Sequence, residues 1–289
     1  MKVLVVGDTI LDIYSHGTVE RISPEAPVPV FDHSHDEKVL GGACNVAANV
    51  RSLSRDDNLE IDFFGFYSPD IKHMLGEYCI ECIGIPCGPE DVLQKKRIVA
   101  DKHQLVRIDN HKKYKDTGLA AVLHHKWNQI NFEDYDLLVL SDYDKGTLTE
   151  KEFKTLVDLQ HIPKVIDLKR VRATMEDFDK HRHLKTIVKC NMKEYLENSR
   201  ITYLSELVVI TKGADGYMLP NTQENFPSVR TNGEVVDVVG AGDVYLAGMA
   251  VNFLESKSFD IYAMSAFGNL CAGEKVKHFG TFAVKRDLL

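Results

Sequence analysis

No apolar run in these 289 residues approaches the roughly 18 needed to cross a bilayer. The opening Met1-Lys2-Val3-Leu4-Val5-Val6-Gly7-Asp8 is too short for the apolar region of a secretory signal and reads as a first buried strand. Both absences predict a cytoplasmic protein with no membrane contact. Positive charge is also short: 35 Lys and Arg stand against 43 Asp and Glu, a net charge of −8. A general nucleic-acid binder needs a basic footprint, so that class is excluded. Cysteine is present six times but lacks the pairing a structural zinc site requires. Cys79-x-x-Cys82, with Cys87 and His73 nearby, has no second close pair, and reduced thiols on packed elements are the better reading. The first strand is followed by Gly7-Asp8-Thr9-Ile10-Leu11-Asp12 instead of Gly-x-Gly-x-x-Gly, which argues against a nicotinamide dinucleotide. Repeats, low-complexity tracts and long linkers are missing too.

What remains is a globular composition, 44% hydrophobic and 27% charged, long enough for one large α/β domain over residues 1–289. Apolar runs at 2–6, 61–66, 137–140, 164–166, 186–188 and 207–210 read as buried strands. Helical stretches lie among them at 45–53, after Pro69, and at 118–129 and 149–159. Others follow Gly242 and span 261–277. This alternation predicts a mostly parallel sheet covered on both faces, a three-layer α/β/α fold. Residues 13–33 and 94–109 break the pattern with prolines and alternating polarity, and read as strands of a small β lid outside the main sheet.

The most informative stretch is Val235-Val236-Asp237-Val238-Val239-Gly240-Ala241-Gly242-Asp243. The apolar run is compatible with a strand, and 244–254 with a helix. Backbone N–H groups and one carboxylate would then meet at a helix N-terminus. Such a place attracts phosphate through unpaired amides and the positive end of the helix dipole. A carboxylate beside an anion makes sense if it handles a proton. Phosphoryl transfer to a hydroxyl needs both an anion hole and a base. An ordinary strand, turn and helix with an Asp cap is the plainer alternative.

Several further motifs occur in order along the chain: Gly7-Asp8-x-x-Leu11-Asp12-x-Tyr14, Arg21 through Val30, Gly41-Gly42-Ala43-Cys44-Asn45-Val46-Ala47, and Lys95-x-Arg97. Gln104 through Asp109 and Ser141-Asp142-Tyr143-Asp144-Lys145-Gly146 come next. Asn191-x-x-Glu194, Thr211-Lys212-Gly213-x-x-Gly216, Gly240-Ala241-Gly242-Asp243, Asn269, Gly273 and Gly280-Thr281 complete the series. With them the chain resembles the PfkB-type, ribokinase-like sugar kinases from Val3 to Val284. Within that family it is most similar to the heptose-7-phosphate 1-kinases of ADP-heptose synthesis.

The resemblance implies a ribokinase-like fold and Mg·ATP-dependent phosphorylation of the anomeric 1-hydroxyl of a heptose 7-phosphate. Asp243 is then the base, and the amides of Ala241, Gly242 and Asp243, after Gly240, stabilise the moving phosphoryl group. Gly41 and Gly42 let backbone approach a polyol, and Asn45, Asp8, Asp12 and Asp142 face sugar hydroxyls. Arg21, Lys95, Arg97 and Arg107, with Gln104, lie on the lid strands and suit the substrate's own phosphate. Asn191 and Glu194 belong by the nucleotide phosphates, with Glu194 reaching Mg²⁺ through water. Thr211, Lys212, Gly213 and Gly216 lie beside the nucleotide and Asn269 beside its adenine. Asp237 matches a position near a monovalent-cation site in some relatives, which implies K⁺ activation.

Four residues depart from the family pattern: Val244 for Thr, Cys190 for Pro, Leu105 for a second Gln, and Gln94 for Thr. The last two touch the sugar side and leave a kinase of another sugar, sugar phosphate or nucleoside as the alternative. A non-catalytic sugar-phosphate-binding regulator on the same fold is the alternative from another class. No His-x-Gly-His signature of a nucleotidyltransferase occurs in the chain, so a bifunctional version is not expected. The apolar edges Ile22, Val28, Val30, Ile98 and Val106 predict a homodimer through the lid strands.

Overall fold

The computed structural model describes residues 1–101, 103–110, 119–159, 161–170, 185–198, 201, 205, 207–229 and 235–289. Its main sheet has nine strands, in the order β15-β14-β13-β12-β11-β10-β1-β4-β6. The parallel part comprises β1 (Lys2–Gly7), β4 (Glu60–Phe64), β6 (Ile80–Cys82), β10 (Leu137–Asp142), β11 (Lys164–Leu168), β12 (Thr186–Asn191) and β13 (Leu207–Thr211). β14 (Tyr217–Leu219) and β15 (Glu224–Phe226) extend it antiparallel at one edge. A short pair, β5 (Phe66–Tyr67) and β7 (Ile85–Pro86), stands apart.

Helices cover both faces, as buried parallel strands require. Val3 and Val5 of β1 pack toward α1 (Ala43–Leu53), α2 (Pro69–Gly76), α6 (Ala241–Ser256) and α7 (Ile261–Lys275). Their neighbours Leu4 and Val6 face the other way, toward α3 (Ala120–Trp127) and α4 (Glu150–Asp158), with Tyr195 of α5 (Met192–Glu197) beside them. Local chemistry starts these helices. Ser68 accepts the Ile71 N–H and Pro69 opens α2, while Thr149 with Glu152, and Asn191 with Glu194, form capping boxes on α4 and α5. No helix among the described residues is long and apolar enough to cross a membrane.

A second sheet, ordered β3-β2-β8-β9, comprises β2 (Thr9–Ile22), β3 (Pro29–Gly42), β8 (Leu93–Ala100) and β9 (His103–Asp109). It is larger than 13–33 and 94–109 alone, because β2 begins two residues after β1 ends and β3 runs directly into α1. The expected strand over the valines before Gly240 is absent. Residues 235–238 are non-regular, with Val235, Val236 and Val238 exposed. An apolar run makes a strand only where partner strands bury it, and none among the described residues pairs with it. The expected helix at 118–129 is present as α3, while Gly118 lies outside the described residues.

Candidate active site

Open α/β sheets bind ligands beyond the carboxyl ends of their strands. Here Asp8 follows β1, Asp142 ends β10, Lys169 follows β11, Asn191 ends β12 and Thr211 ends β13. The start of α6 lies against the same edge, because Asn45 and Tyr143 both reach Asp243.

Asp243 is 4% exposed and sits in the first turn of α6. The Tyr143 hydroxyl donates to its Oδ1 at 2.6 Å, and Asn45 Nδ2 donates to its Oδ2 at 3.0 Å. Burial raises the Asp243 pKa above the ordinary carboxylate value. The two hydrogen bonds and Lys189 oppose that rise, and Asp167 adds to it. Desolvation, with the Asp243 charge, holds the Tyr143 phenol well above its usual range, so it donates and does not ionise.

Gly240 takes φ +77°, the left-handed conformation that glycine tolerates best, and caps the helix. The turn it makes corrects one expectation. Ala241 N–H donates to the Val238 carbonyl at 3.2 Å and is spent inside the loop. The Gly242 and Asp243 amides have no acceptor among the described residues, which leaves a cradle of two donors. A third donor went unread in the sequence. Lys189 of β12 is buried, and a Cβ on Gly242 would lie 2.9 Å from its Nζ. Burial acts to lower the Lys189 pKa, but Asp167, paired to it at 2.6 Å, outweighs that and keeps it charged. The available signal was a lysine inside a buried apolar strand.

Asn191, Met192, Lys193, Thr211, Lys212, Gly213 and Asp215, several of them expected beside a nucleotide, line a cavity of about 370 Å³. Asn191 and Glu194 together cap α5. Each accepts the other's backbone N–H at 2.9 Å, and Glu194 also pairs with Lys169. Glu194 therefore has no bare oxygen for a direct metal bond, but it fits the outer hydration shell of Mg²⁺, which keeps several waters. Lys212 donates to Asn225, and Gly213 and Gly216 both take positive φ. Asn269 holds the Pro227 carbonyl at 2.9 Å, tying α7 to the loop after β15.

The sugar-side expectations separate. Asp8 is 0% exposed, and its carboxylate accepts the backbone N–H groups of Tyr143, Lys145 and Thr147 at 2.8, 3.0 and 3.0 Å. It holds the loop that carries Tyr143 and presents nothing to a sugar. Asn45 likewise supports Asp243 from the side, its own Oδ1 accepting from Asn49 at 2.9 Å. Asp142 is buried and accepts the Asp144 N–H at 3.2 Å. Asp12 and Arg97 form a buried ion pair between β2 and β8, with Arg97 5.1 Å from the Tyr14 ring centroid, so Arg97 is not a free cation. A Cβ on Gly41 would lie 2.2 Å from Asp12 Oδ2, and one on Gly42 2.5 Å from the Asp8 carbonyl. Gly41 makes room for the Asp12 carboxylate, and Gly42 for the Asp8 backbone carbonyl.

Arg107, directly opposite Arg97 in the register, is exposed and forked onto Asp109. Gln104 lies further out along β9 and is exposed. Arg21 is nine residues beyond Asp12 on the same strand, about 30 Å along it, so the structure does not bring Arg21 to Asp243. Lys95 is different. It is half-buried, with no ion pair among the described residues, and its Nζ lies 5.3 Å from the Tyr143 ring centroid. Burial lowers its pKa, opposed by Asp12 and Asp243. Lys169 takes a similar position at 5.4 Å from that ring. Tyr143 thus has two ammonium groups within about 5.4 Å of its ring and its hydroxyl on Asp243, an arrangement that the Ser141 to Gly146 motif did not reveal.

Asp237 does not present a cation-binding carboxylate. Its Oδ1 accepts the Val239 N–H and its Oδ2 the Gly280 N–H, both at 2.9 Å. Its carbonyl accepts Lys275 Nζ at 2.7 Å. Burial pushes Lys275 down to about 8, with Asp237 and Asp243 opposing.

A buried carboxylate, two amides with no acceptor among the described residues and a buried ammonium can together accept a proton from an alcohol and hold a phosphoryl group. Comparison with known proteins decides the family. The model for the pfkB family of carbohydrate kinases matches residues 122–286. The chain belongs to the pfkB family of carbohydrate kinases. This kinase is 31% identical to the bifunctional protein HldE of Haemophilus influenzae (strain PittEE) and to that of Pasteurella multocida, in each case over 98% of the chain. It spans 61% of the length of those relatives. Among solved structures, phosphofructokinase-2 from Escherichia coli in complex with potassium superposes with a TM-score of 0.72 at 16% identity, covering 100% of this chain and 96% of that one. A ribokinase from Thermotoga maritima gives 0.70 at 17% identity, covering 99% and 97%. At such identities these two establish the ribokinase-like fold of the kinase and nothing finer.

Proposed function

We infer that this kinase transfers the γ-phosphoryl group of ATP to the anomeric 1-hydroxyl of a heptose 7-phosphate. The observation that carries the reading is Asp243, buried next to two unspent amides on one side and facing the second sheet through Tyr143 on the other. The similarity to HldE over 98% of the chain supports the choice of sugar.

In this reading Asp243 takes the proton of the 1-hydroxyl through Oδ1, the oxygen that Tyr143 now occupies. An anomeric hydroxyl is more acidic than an ordinary alcohol, so a carboxylate suffices. Asn45 holds the other oxygen and fixes the direction of the first. The Gly242 and Asp243 amides, with Lys189, take up charge on the transferring group. Asn191 and Glu194 hold the hydrated Mg²⁺, which when bound neutralises phosphate charge. Lys95 meets the sugar's own phosphate as Tyr143 withdraws.

The chain acts as one kinase unit with the second sheet as its lid. Ile22, Leu105, Val106 and Ile108 on that sheet, with Val28 in the loop between β2 and β3, leave exposed apolar surface, which fits a second copy of the chain. Sedimentation at micromolar concentration tests the dimer, and a single monomeric species would refute it.

The deciding experiment is a mass-spectrometric screen with Mg·ATP and heptose 7-phosphate, fructose 6-phosphate, ribose and adenosine. Heptose 7-phosphate is expected to gain one phosphate fastest. Preference for any of the other three would refute the assignment of substrate while leaving the family intact.

A further inference from the structure

The resemblance leads one to expect a potassium ion beside Asp237, and the residues there do not fit one. Lys275, in the last turn of α7, is 0% exposed. Its ammonium donates to the Asp237 carbonyl at 2.7 Å and to the His278 carbonyl at 3.3 Å. It makes no ion pair among the described residues. A single positive charge held by neutral carbonyl oxygens is the environment that suits a bound monovalent cation. Ammonium and potassium have the same charge and similar size, so both cannot occupy it.

The place matters as much as the charge. The two carbonyls belong to the two segments that Asp237 ties together through the Val239 and Gly280 amides. One segment runs directly into Gly240 and the amide cradle. The other brings Thr281 against Gly240, where an added Cβ would lie 3.2 Å from Thr281 Cγ2. A cation under this junction draws both carbonyls inward and fixes the turn that aims the Gly242 and Asp243 amides.

We propose that Lys275 is a tethered replacement for a monovalent cation, and that this kinase works without K⁺. Lys275 is a positioning residue, since it reaches the cradle only through the backbone of 237–240. The proposal rests on the chain being a kinase and not on heptose as its substrate.

The test uses the whole protein at a fixed ionic strength of about 0.1 M, set with tetramethylammonium, Na⁺, K⁺ or NH₄⁺ chloride. Two readouts are taken: the melting temperature without substrates, and the initial rate on whichever sugar phosphate the enzyme accepts. Wild type should show the same melting temperature in tetramethylammonium and in K⁺, and less than about a twofold change in rate. Lys275→Ala opens a space the size of the ammonium. It should melt lower in tetramethylammonium, and K⁺ or NH₄⁺ should raise its melting point and restore its rate about tenfold or more, since an ion that binds only the folded chain stabilises it. Lys275→Gln, which fills the space without charge, should lose rate and gain nothing from K⁺.

Several-fold activation of wild type by K⁺ would overturn the proposal. So would a Lys275→Ala protein that melts and turns over identically in K⁺ and tetramethylammonium. If Lys275→Ala fails to fold, the wild-type titration and Lys275→Gln still decide. The substrate-free melting readout stands even if heptose 7-phosphate proves to be the wrong sugar.

Discussion

Asp8 provides the sharpest separation between a sugar-binding carboxylate and a structural one. Asp8→Ala removes the acceptor for the N–H groups of Tyr143, Lys145 and Thr147. A buried amide left without a partner costs about 1–3 kcal/mol. The Thr147 hydrogen bond is buried and the other two are partly so, and partial rehydration of those two brings the expected loss to about 3–6 kcal/mol in all. That is a large share of the roughly 5–15 kcal/mol that holds a domain together. The loop would also release Tyr143, so the hydrogen bond to Asp243 should loosen. Urea unfolding measures the stability. Steady-state kinetics on the folded fraction then shows whether kcat falls while KM for the sugar phosphate changes little. An Asp8→Ala protein with wild-type stability and a KM raised only for the sugar phosphate would refute this reasoning and restore Asp8 to the substrate site.

Other outcomes follow from the same geometry. Asp243→Asn should lower kcat by about 10²–10⁴-fold, the scale of general-base loss, and wild-type turnover would remove Asp243 from the chemistry. Because its folded pKa is raised, Asp243 contributes fully to the folded state below its unfolded pKa and loses that contribution as pH rises through the folded value. Asp243→Asn should therefore melt higher than wild type at neutral pH, as calorimetry can check. Tyr143→Phe removes a hydrogen bond that lowers the Asp243 pKa, so the acid limb of kcat/KM should move to higher pH; no movement would mean that the contact is absent in solution. Arg97→Met strands Asp12 in a buried site and should cost about 3–5 kcal/mol in urea unfolding, while the double change Asp12→Leu with Arg97→Met should recover most of it.

Much of the fold was legible because parallel strands buried on both faces must be apolar throughout. Runs such as 137–140 and 207–210 have no other stable place in a protein of this size. The valines before Gly240 show the limit of that signal. Equally apolar, they stay exposed, since burial depends on a partner that the run itself does not specify. Asp243 could be read because Gly-Ala-Gly-Asp ahead of a helix combines backbone freedom with a carboxylate at one point of the chain. Lys275 left a weaker trace. It follows Met264, Gly268 and Cys271 at helical spacing, on the buried stripe of α7.

By itself, then, the order of residues determined the layered α/β architecture, the placing of the Asp243 carboxylate at a helix start and the kind of chemistry, because each depends on periodicity or on neighbours in the chain. Only the folded molecule decided which charges were free. Asp12 spends its carboxylate on Arg97 and Asp8 on three amides, Lys189 spends its ammonium on Asp167 and Lys275 on two carbonyls, while Lys95 has no ion pair among the described residues. Those partners lie up to 139 residues apart, and whether a charge is available depends on what lies within a few ångströms of it in space.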